Sequence, residues 1–213
     1  GSMHLFSKEK NFYGGHGIVG ASVPLGTGLA FANHYRKEQR VCFTYFGDGA
    51  ANQGQVYESF NMASLWKLPV VYIVENNKYA MGTAVERATA EPDFSRHGWA
   101  FSIPGAVVDG MDVAAVKTAC AAAREFVTSG NGPVLLDIHT YRYRGHSMSD
   151  PGKYREREEV QQIRLQRDPI EQLAKKLAVL GVGQEELKAI DVEVKAIVAE
   201  AASYAQNNAE PDQ

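Results

Sequence analysis

The sequence has little of what marks a chain for export, for a membrane or for nucleic acid. Only two of its 213 residues are cysteine, Cys42 and Cys120, both in apolar runs and without metal-ligand spacing. A reduced, intracellular setting is the simpler expectation. No apolar run approaches the roughly 18 residues of a membrane span. Neither an apolar signal region nor an Arg-rich amphipathic leader opens the chain, and Gly1-Ser2-Met3 reads as a non-native leader. Charge of one sign is also missing. Lys and Arg number 22 against 25 Asp and Glu, a net charge of -3, so there is no electrostatic case for nucleic acid or an anionic membrane surface. No internal repeat or low-complexity tract interrupts the chain. What it does have is 45% hydrophobic side chains, enough for one substantial core or a core with an appended helical segment.

Strand and helix signals alternate through about residue 143 and become helical beyond about residue 155. A helix is expected over 21–35, followed by an uncharged strand, Val41-Cys42-Phe43-Thr44-Tyr45-Phe46, of the kind buried on both faces. A helix over 53–66, stopped at Leu68-Pro69, leads to a second buried strand, Val70-Val71-Tyr72-Ile73-Val74. Asp112 can cap a helix over 112–128, with Gly130 just past its end, and a third strand runs over 133–141. The Pro, Gly and Ser content of 140–159 predicts a loop. Asp168-Pro169 has the N-cap and N1-proline order of a helix start, Gly181 to Gly183 breaks that helix, and another follows over 184–205. The expected fold class is α/β: a doubly wound, mostly parallel sheet with a C-terminal helical segment. Residues 1–154, including the loop 140–159, form the ligand-binding domain, and 155–213 form a helical extension packing on it.

In such a sheet ligands bind outside the carboxyl ends of the strands. Gly47-Asp48-Gly49 follows one buried strand and Asn76-Asn77 follows the next. The 29 positions from Asp48 to Asn77 leave room for one crossover helix and one parallel strand. A carboxylate and a carboxamide would then lie side by side. Hard oxygens of this kind suit Mg²⁺ or Ca²⁺, and Mg²⁺ commonly takes one or two carboxylates together with substrate phosphates, which suggests a diphosphate cofactor. The alternative for Asp48 is an ordinary turn residue or the N-cap of the helix that follows. Upstream, Gly14, Gly15, Gly17 and Gly20 would let the backbone approach a ligand closely. His146 lies in a loop with Arg142, Arg144, Arg155 and Arg157, and its alternative is a surface histidine. Arg142 and Arg144 fit either a phosphate clamp or a solvated basic strand end.

Gly47-Asp48-Gly49, 26 intervening residues and Asn76-Asn77 resemble the thiamine diphosphate signature. Three longer stretches narrow the resemblance: Phe12-Tyr13-Gly14-Gly15-His16-Gly17-Ile18-Val19-Gly20, Phe46-Gly47-Asp48-Gly49-Ala50-Ala51-Asn52-Gln53-Gly54-Gln55, and Tyr141-Arg142-Tyr143-Arg144-Gly145-His146-Ser147-Met148-Ser149-Asp150-Pro151. Together they are similar to the alpha subunits of the heterotetrameric pyruvate dehydrogenase first component, across essentially the whole chain.

That resemblance implies the thiamine diphosphate-binding fold and a set of roles. Asp48, Asn77 and the Tyr79 carbonyl would hold Mg²⁺, and the Gly49 and Ala50 amides would face the diphosphate, as a turn opening a helix allows. Gly17 and Val19 would meet the aminopyrimidine through backbone atoms. His146 would sit by the thiazolium as the catalytic and cofactor-contacting histidine, while His16 stays outside the catalytic set. The implied reaction is oxidative decarboxylation of pyruvate and acetyl transfer to a lipoyl group. The implied partners are a beta subunit carrying the activating glutamate, in a heterotetramer of two alpha and two beta chains, and a lipoyl-bearing acetyltransferase component. The chain alone is then inactive.

Ser147 matches a serine that regulatory kinases modify in mitochondrial relatives, but Ala84 and Gly152-Lys153-Tyr154 depart from their other such positions. A bacterial cytoplasm is therefore expected ahead of the mitochondrial matrix. The resemblance also implies that further residues precede Gly1, among them an aromatic and an arginine that help close the site, and that the chain stops slightly short at Gln213. The rival readings are an acetoin or branched-chain 2-oxo acid dehydrogenase alpha subunit and a non-catalytic assembly module. Trp66-Lys67-Leu68-Pro69 and the stretch from His146 to Pro151 fit the pyruvate enzyme better than the other two dehydrogenases.

Overall fold

A computed structural model of the chain describes residues 4–210. The leader expected at Gly1-Ser2-Met3 and the short stop expected at Gln213 lie outside the described residues. The chain divides into two compact units, Gly1–Arg167 and Asp168–Gln213.

In the first unit α1 (Ser22–Tyr35) leads into β1 (Cys42–Gly47), a single 3₁₀ turn (Ala50–Asn52) and α2 (Gly54–Leu65). Then come β2 (Val70–Asn76), a tight hairpin of β3 (Tyr79–Ala80) and β4 (Thr83–Ala84), and the short α3 (Val85–Ala88). After two further 3₁₀ turns the chain forms β5 (Gly105–Asp109), α4 (Val113–Thr128), β6 (Val134–His139) and, past the long loop, α5 (Arg157–Arg167). The main sheet has the order β1-β2-β6-β5 and is parallel throughout. β5 was not expected from the sequence, and α5 starts inside the stretch read as loop.

The sheet is wound on both faces because β2 is apolar on both. Val70, Tyr72 and Val74 point into a layer with Val23 and Ala30 of α1 and Val56, Phe60 and Ala63 of α2. Val71 and Ile73 point the other way, into a layer with Ala123 and Val127 of α4. Each such large side chain removed from water contributes about 1.5–3 kcal/mol. α1 and β1 approach closely at Gly26, where a Cβ would fall 2.5 Å from that of Thr44. Polar atoms seal the same seam: Thr44 Oγ1 donates to the Ser22 carbonyl and Ser22 Oγ to that of Tyr45, each at 2.8 Å. Asp112 caps α4 as expected, accepting from the amide of Ala114 at 2.9 Å.

The second unit comprises α6 (Pro169–Val179) and α7 (Gln184–Asn207). Asp168 caps α6, accepting from the amide of Ile170 at 3.0 Å, and Gly181 takes the left-handed φ of +93° that ends the helix. No helix among the described residues is long and apolar enough to cross a membrane.

Candidate functional site

Four parallel strands end on one side of the sheet, and two of them, β1 and β2, are immediate neighbours, Gly47 pairing with Glu75. Asp48 and Asn77 therefore emerge next to each other. Asp48 is buried and its carboxylate accepts hydrogen bonds from its own amide and from that of Asn77. Burial pushes its carboxyl above the ordinary aspartate range, while those two amides, Arg142 and Lys78 pull it back. It caps neither the 3₁₀ turn that follows nor α2, whose N-cap is Gln53. The capping alternative for Asp48 is not realised.

Asn77 Oδ1 and the Tyr79 carbonyl converge on one atom: Nη1 of Arg142 donates to them at 3.1 and 3.0 Å. The Tyr79 carbonyl is aimed by a turn in which Lys78 (φ +72°) and Met81 (φ +54°) both adopt left-handed backbone, unusual for residues with long side chains. That turn is held from beneath. Asn76, fully buried, accepts the Lys78 amide at 3.2 Å through Oδ1 and donates at 3.0 Å through Nδ2 to Asp137 on β6. Asp137 is likewise fully buried, and it also accepts the Phe94 amide at 3.2 Å and lies 3.0 Å from His139 Nε2. Lys78 Nζ lies 3.3 Å from the other ring nitrogen of His139. Sequence reading passed over Asp137. Its signal was a charge inside the apolar run Val134-Leu135-Leu136-Asp137-Ile138, where an ionised residue is rarely buried without partners.

The loop after β6 is tied to this corner by its arginines. Besides Asn77 and Tyr79, Arg142 donates to the Met81 carbonyl at 2.7 Å, the Tyr154 hydroxyl at 2.8 Å and the Arg144 carbonyl at 3.3 Å. Arg155 donates to the carbonyls of Arg142 and Arg144, and its guanidinium lies over the rings of Tyr79, Tyr141 and Tyr154 at 5.9, 5.1 and 5.3 Å. Tyr154 donates onward to Asp150 Oδ2 at 2.7 Å, and the same oxygen accepts the His146 amide at 2.7 Å. Asp150 is held down to about 2 by the His146 and Gly152 amides and by Tyr154. His146 thus rides on a segment linked to the Asn77 turn through Asp150, Tyr154 and Arg142. Its side chain, like those of Ser147 and Met148, is exposed.

Gly49 and Ala50 open the 3₁₀ turn after Asp48, where the first amides have no partner within the turn. Gly49 must be glycine here, because a Cβ would stand 2.4 Å from that of Ala80. Gly17 and Val19 lie in the exposed glycine-rich segment before α1, which Gln55 of α2 ties down by donating to the Val19 carbonyl at 3.0 Å.

These residues fit a small hard cation next to a diphosphate. The donors are one buried carboxylate, one carboxamide oxygen and one carbonyl, all oxygen, as Mg²⁺ prefers. The two neutral oxygens already face a cation, the Arg142 guanidinium. Among the described residues no cluster of three His, Cys, Asp or Glu side chains could hold a metal, so a softer site of the zinc kind has no candidate here.

Comparison with known proteins agrees along the whole chain. The sequence profile of the dehydrogenase E1 component family matches residues 1–213. The pyruvate dehydrogenase E1 component subunit alpha of Rhizobium meliloti strain 1021 is 65% identical over 213 residues, covering 100% of this chain and 61% of the relative. Its counterpart in Zymomonas mobilis is 54% identical over 206 residues, covering 97% and 58%. The mitochondrial protein of that name from Sminthopsis macroura is 53% identical over 213 residues, covering 99% and 58%. The chain spans about three fifths of the length of these curated relatives.

Proposed function

Because the chain belongs to the dehydrogenase E1 component family, we propose that it is the cofactor-anchoring part of a pyruvate dehydrogenase alpha subunit. The observation that carries this reading is the meeting of Asp48, Asn77 Oδ1 and the Tyr79 carbonyl at neighbouring strand ends, with the amides of Gly49 and Ala50 opening a helical turn beside them.

Asp48, Asn77 and Tyr79 would hold Mg²⁺, and the Gly49 and Ala50 amides would face the diphosphate of thiamine diphosphate. Gly17 and Val19 would bind the aminopyrimidine through their backbone. When bound, the cofactor supplies the electron sink that decarboxylation of a 2-oxo acid requires. The chain contributes position and charge. The buried carboxylate offsets part of the metal's charge, the strained Asn77 turn fixes two ligand oxygens before binding, and the polar network of Asp137 keeps that turn from relaxing. His146 is the residue of this chain suited to hold or move a proton near the substrate.

The remaining machinery would come from a beta subunit in a two-alpha, two-beta assembly, with a lipoyl-bearing acetyltransferase component as acceptor. Relatives from Rhizobium meliloti and Zymomonas mobilis favour a bacterial cytoplasm. The test is calorimetric titration of the full-length protein, copurified with its beta subunit, with thiamine diphosphate and Mg²⁺, followed by turnover of pyruvate and lipoyl domain. Binding that requires both ligands and turnover that prefers pyruvate over acetoin or branched-chain 2-oxo acids are the expected results. Cofactor binding that survives Asp48→Ala unchanged would sink the reading.

A further inference from the structure

Gly17 and Val19 are exposed, and Gly20 beside them is buried. The Ala21 amide donates to the Ile18 carbonyl at 3.0 Å, which closes a turn with Val19 and Gly20 at its two central positions. Gly20 has a φ of +79°, the left-handed value that the third residue of a type II turn requires. Type I and type II turns differ by a flip of the central peptide, here the one between Val19 and Gly20. One side chain holds that peptide from outside the segment: Gln55 Nε2 donates to the Val19 carbonyl at 3.0 Å. A Cβ on Gly20 would stand 3.1 Å from the same Nε2 and 3.2 Å from the Gln53 Cβ, so the turn lies directly against the start of α2. Gln55 is half-buried in the first turn of that helix, and its own carbonyl accepts Ser59 Oγ at 2.7 Å.

Among the described residues the Val19 amide and both backbone groups of Gly17 make no hydrogen bond, whereas the Val19 carbonyl is taken by Gln55. We propose that Gln55 is a positioning residue: by holding the Val19 carbonyl it fixes the turn and presents the free Val19 amide and the Gly17 backbone to the cofactor's aminopyrimidine. The inference rests on the proposed reading of Gly17 and Val19 as the aminopyrimidine contacts. An aminopyrimidine carries an amino donor and ring nitrogen acceptors, the complement of one carbonyl and one amide. A ring held by main chain alone binds only when the main chain has the right form. Without Gln55 the Val19–Gly20 peptide samples both turn types, and the apparent affinity drops to the fraction that stays competent. The Gln55 carboxamide bonds to Val19 alone among the described residues, so the diphosphate end, assigned to Asp48, Gly49 and Ala50, binds as before.

The experiment uses the full-length protein copurified with its beta subunit and freed of cofactor. Titration calorimetry in the presence of Mg²⁺ gives two affinities, for thiamine diphosphate and for inorganic pyrophosphate, and their ratio is the readout. Gln55→Met keeps the length of the side chain and loses the donor, so the ratio falls about fivefold, as for one hydrogen bond of this kind. Gln55→Lys supplies a donor of similar reach and keeps the ratio within about twofold of the wild type. A residue that merely supports α2 would lower both affinities together and leave the ratio in Gln55→Met unchanged, which overturns the proposal. A ratio lowered as much by Gln55→Lys as by Gln55→Met overturns it as well. If pyrophosphate binds too weakly to measure, amide exchange of the cofactor-free protein decides. Residues 17–20 then exchange faster in Gln55→Met while α2 keeps its wild-type rates, and equal rates at 17–20 refute the inference. Wild-type protein that binds neither thiamine diphosphate nor pyrophosphate with Mg²⁺ would instead overturn the reading of Asp48, Asn77 and Tyr79, and the inference with it.

Discussion

The corner of the site built on strand ends and the loop that carries His146 are made in different ways. Asp48, Asn76 and Asp137 are buried and held by backbone amides and by one another across three adjacent strands. The loop's candidate residue His146 is exposed, and the loop is fastened by two arginines, one tyrosine and one aspartate. The first arrangement is fixed before any ligand arrives, because it shares its hydrogen bonds with the sheet. The second depends on half-buried side chains that bridge the loop and the Asn77 corner. On the proposed reading, binding and chemistry fall to parts of the molecule that are held in different ways.

The sharpest way to break this contrast is to remove one residue from each part. Asp48→Ala is expected to weaken the joint binding of Mg²⁺ and thiamine diphosphate by more than the roughly 10–100-fold typical of losing a supporting partner of a ligand. His146→Ala is expected to leave that affinity nearly unchanged and to lower turnover of the assembled enzyme by about 10²–10⁴-fold. Titration calorimetry and a steady-state assay on the same preparations check both. Similar affinity losses in the two variants would erase the division.

A smaller effect should follow from the support beneath the seat. Asp137→Ala strands the Asn76 amide and the Phe94 amide, each costing about 1–3 kcal/mol when buried without a partner. Urea denaturation of the ligand-free protein should register their sum, and cofactor affinity should drop with it. Tyr154→Phe, on the loop side, removes hydrogen bonds worth about 1 kcal/mol each. Amide exchange should accelerate across 141–156 while the exchange of β2 and β6 stays the same. An equal acceleration in the strands would mean that loop and sheet open as one unit.

The least effect is expected from acid. Asp150 is held down to about 2 by the His146 and Gly152 amides and Tyr154, against about 3.9 for a free aspartate. A carboxyl lowered in the folded state stabilises it fully above the unfolded value, and that contribution is lost as pH falls. The loop should therefore loosen between pH 4 and 2, seen as faster pepsin cleavage there, and Asp150→Asn should lack the transition. The core helices should not respond in that window.

How much of this was legible in the sequence follows the same division. β1, β2 and β6 announce themselves as uncharged or nearly uncharged runs, and the spacing of Asp48 and Asn77 foretold the neighbouring strand ends. β5 escaped because Gly105-Ala106-Val107-Val108-Asp109 is short and buries Val108 alone, so it carries little apolar signal for an edge strand. The loop was recognised as a loop, but its fastening was not, since nothing local in Arg142 indicates a partner 65 positions away at Asn77. Asp137 was visible as an anomaly, and only its partners, Asn76 Nδ2, the Phe94 amide and His139 Nε2, explain why it is tolerated.

The reach of Asp137 also limits how the site can be moved. The atoms proposed as metal ligands, at Asp48, Asn77 and Tyr79, fit within a short stretch of chain, which makes residues 46–80 look transplantable into another protein. Yet the turn that aims two of those atoms hangs from a carboxylate 61 positions beyond Asn76. A graft of the signature without β6 would carry the proposed ligands without the carboxylate that holds their turn, so a portable module would have to run on through β6.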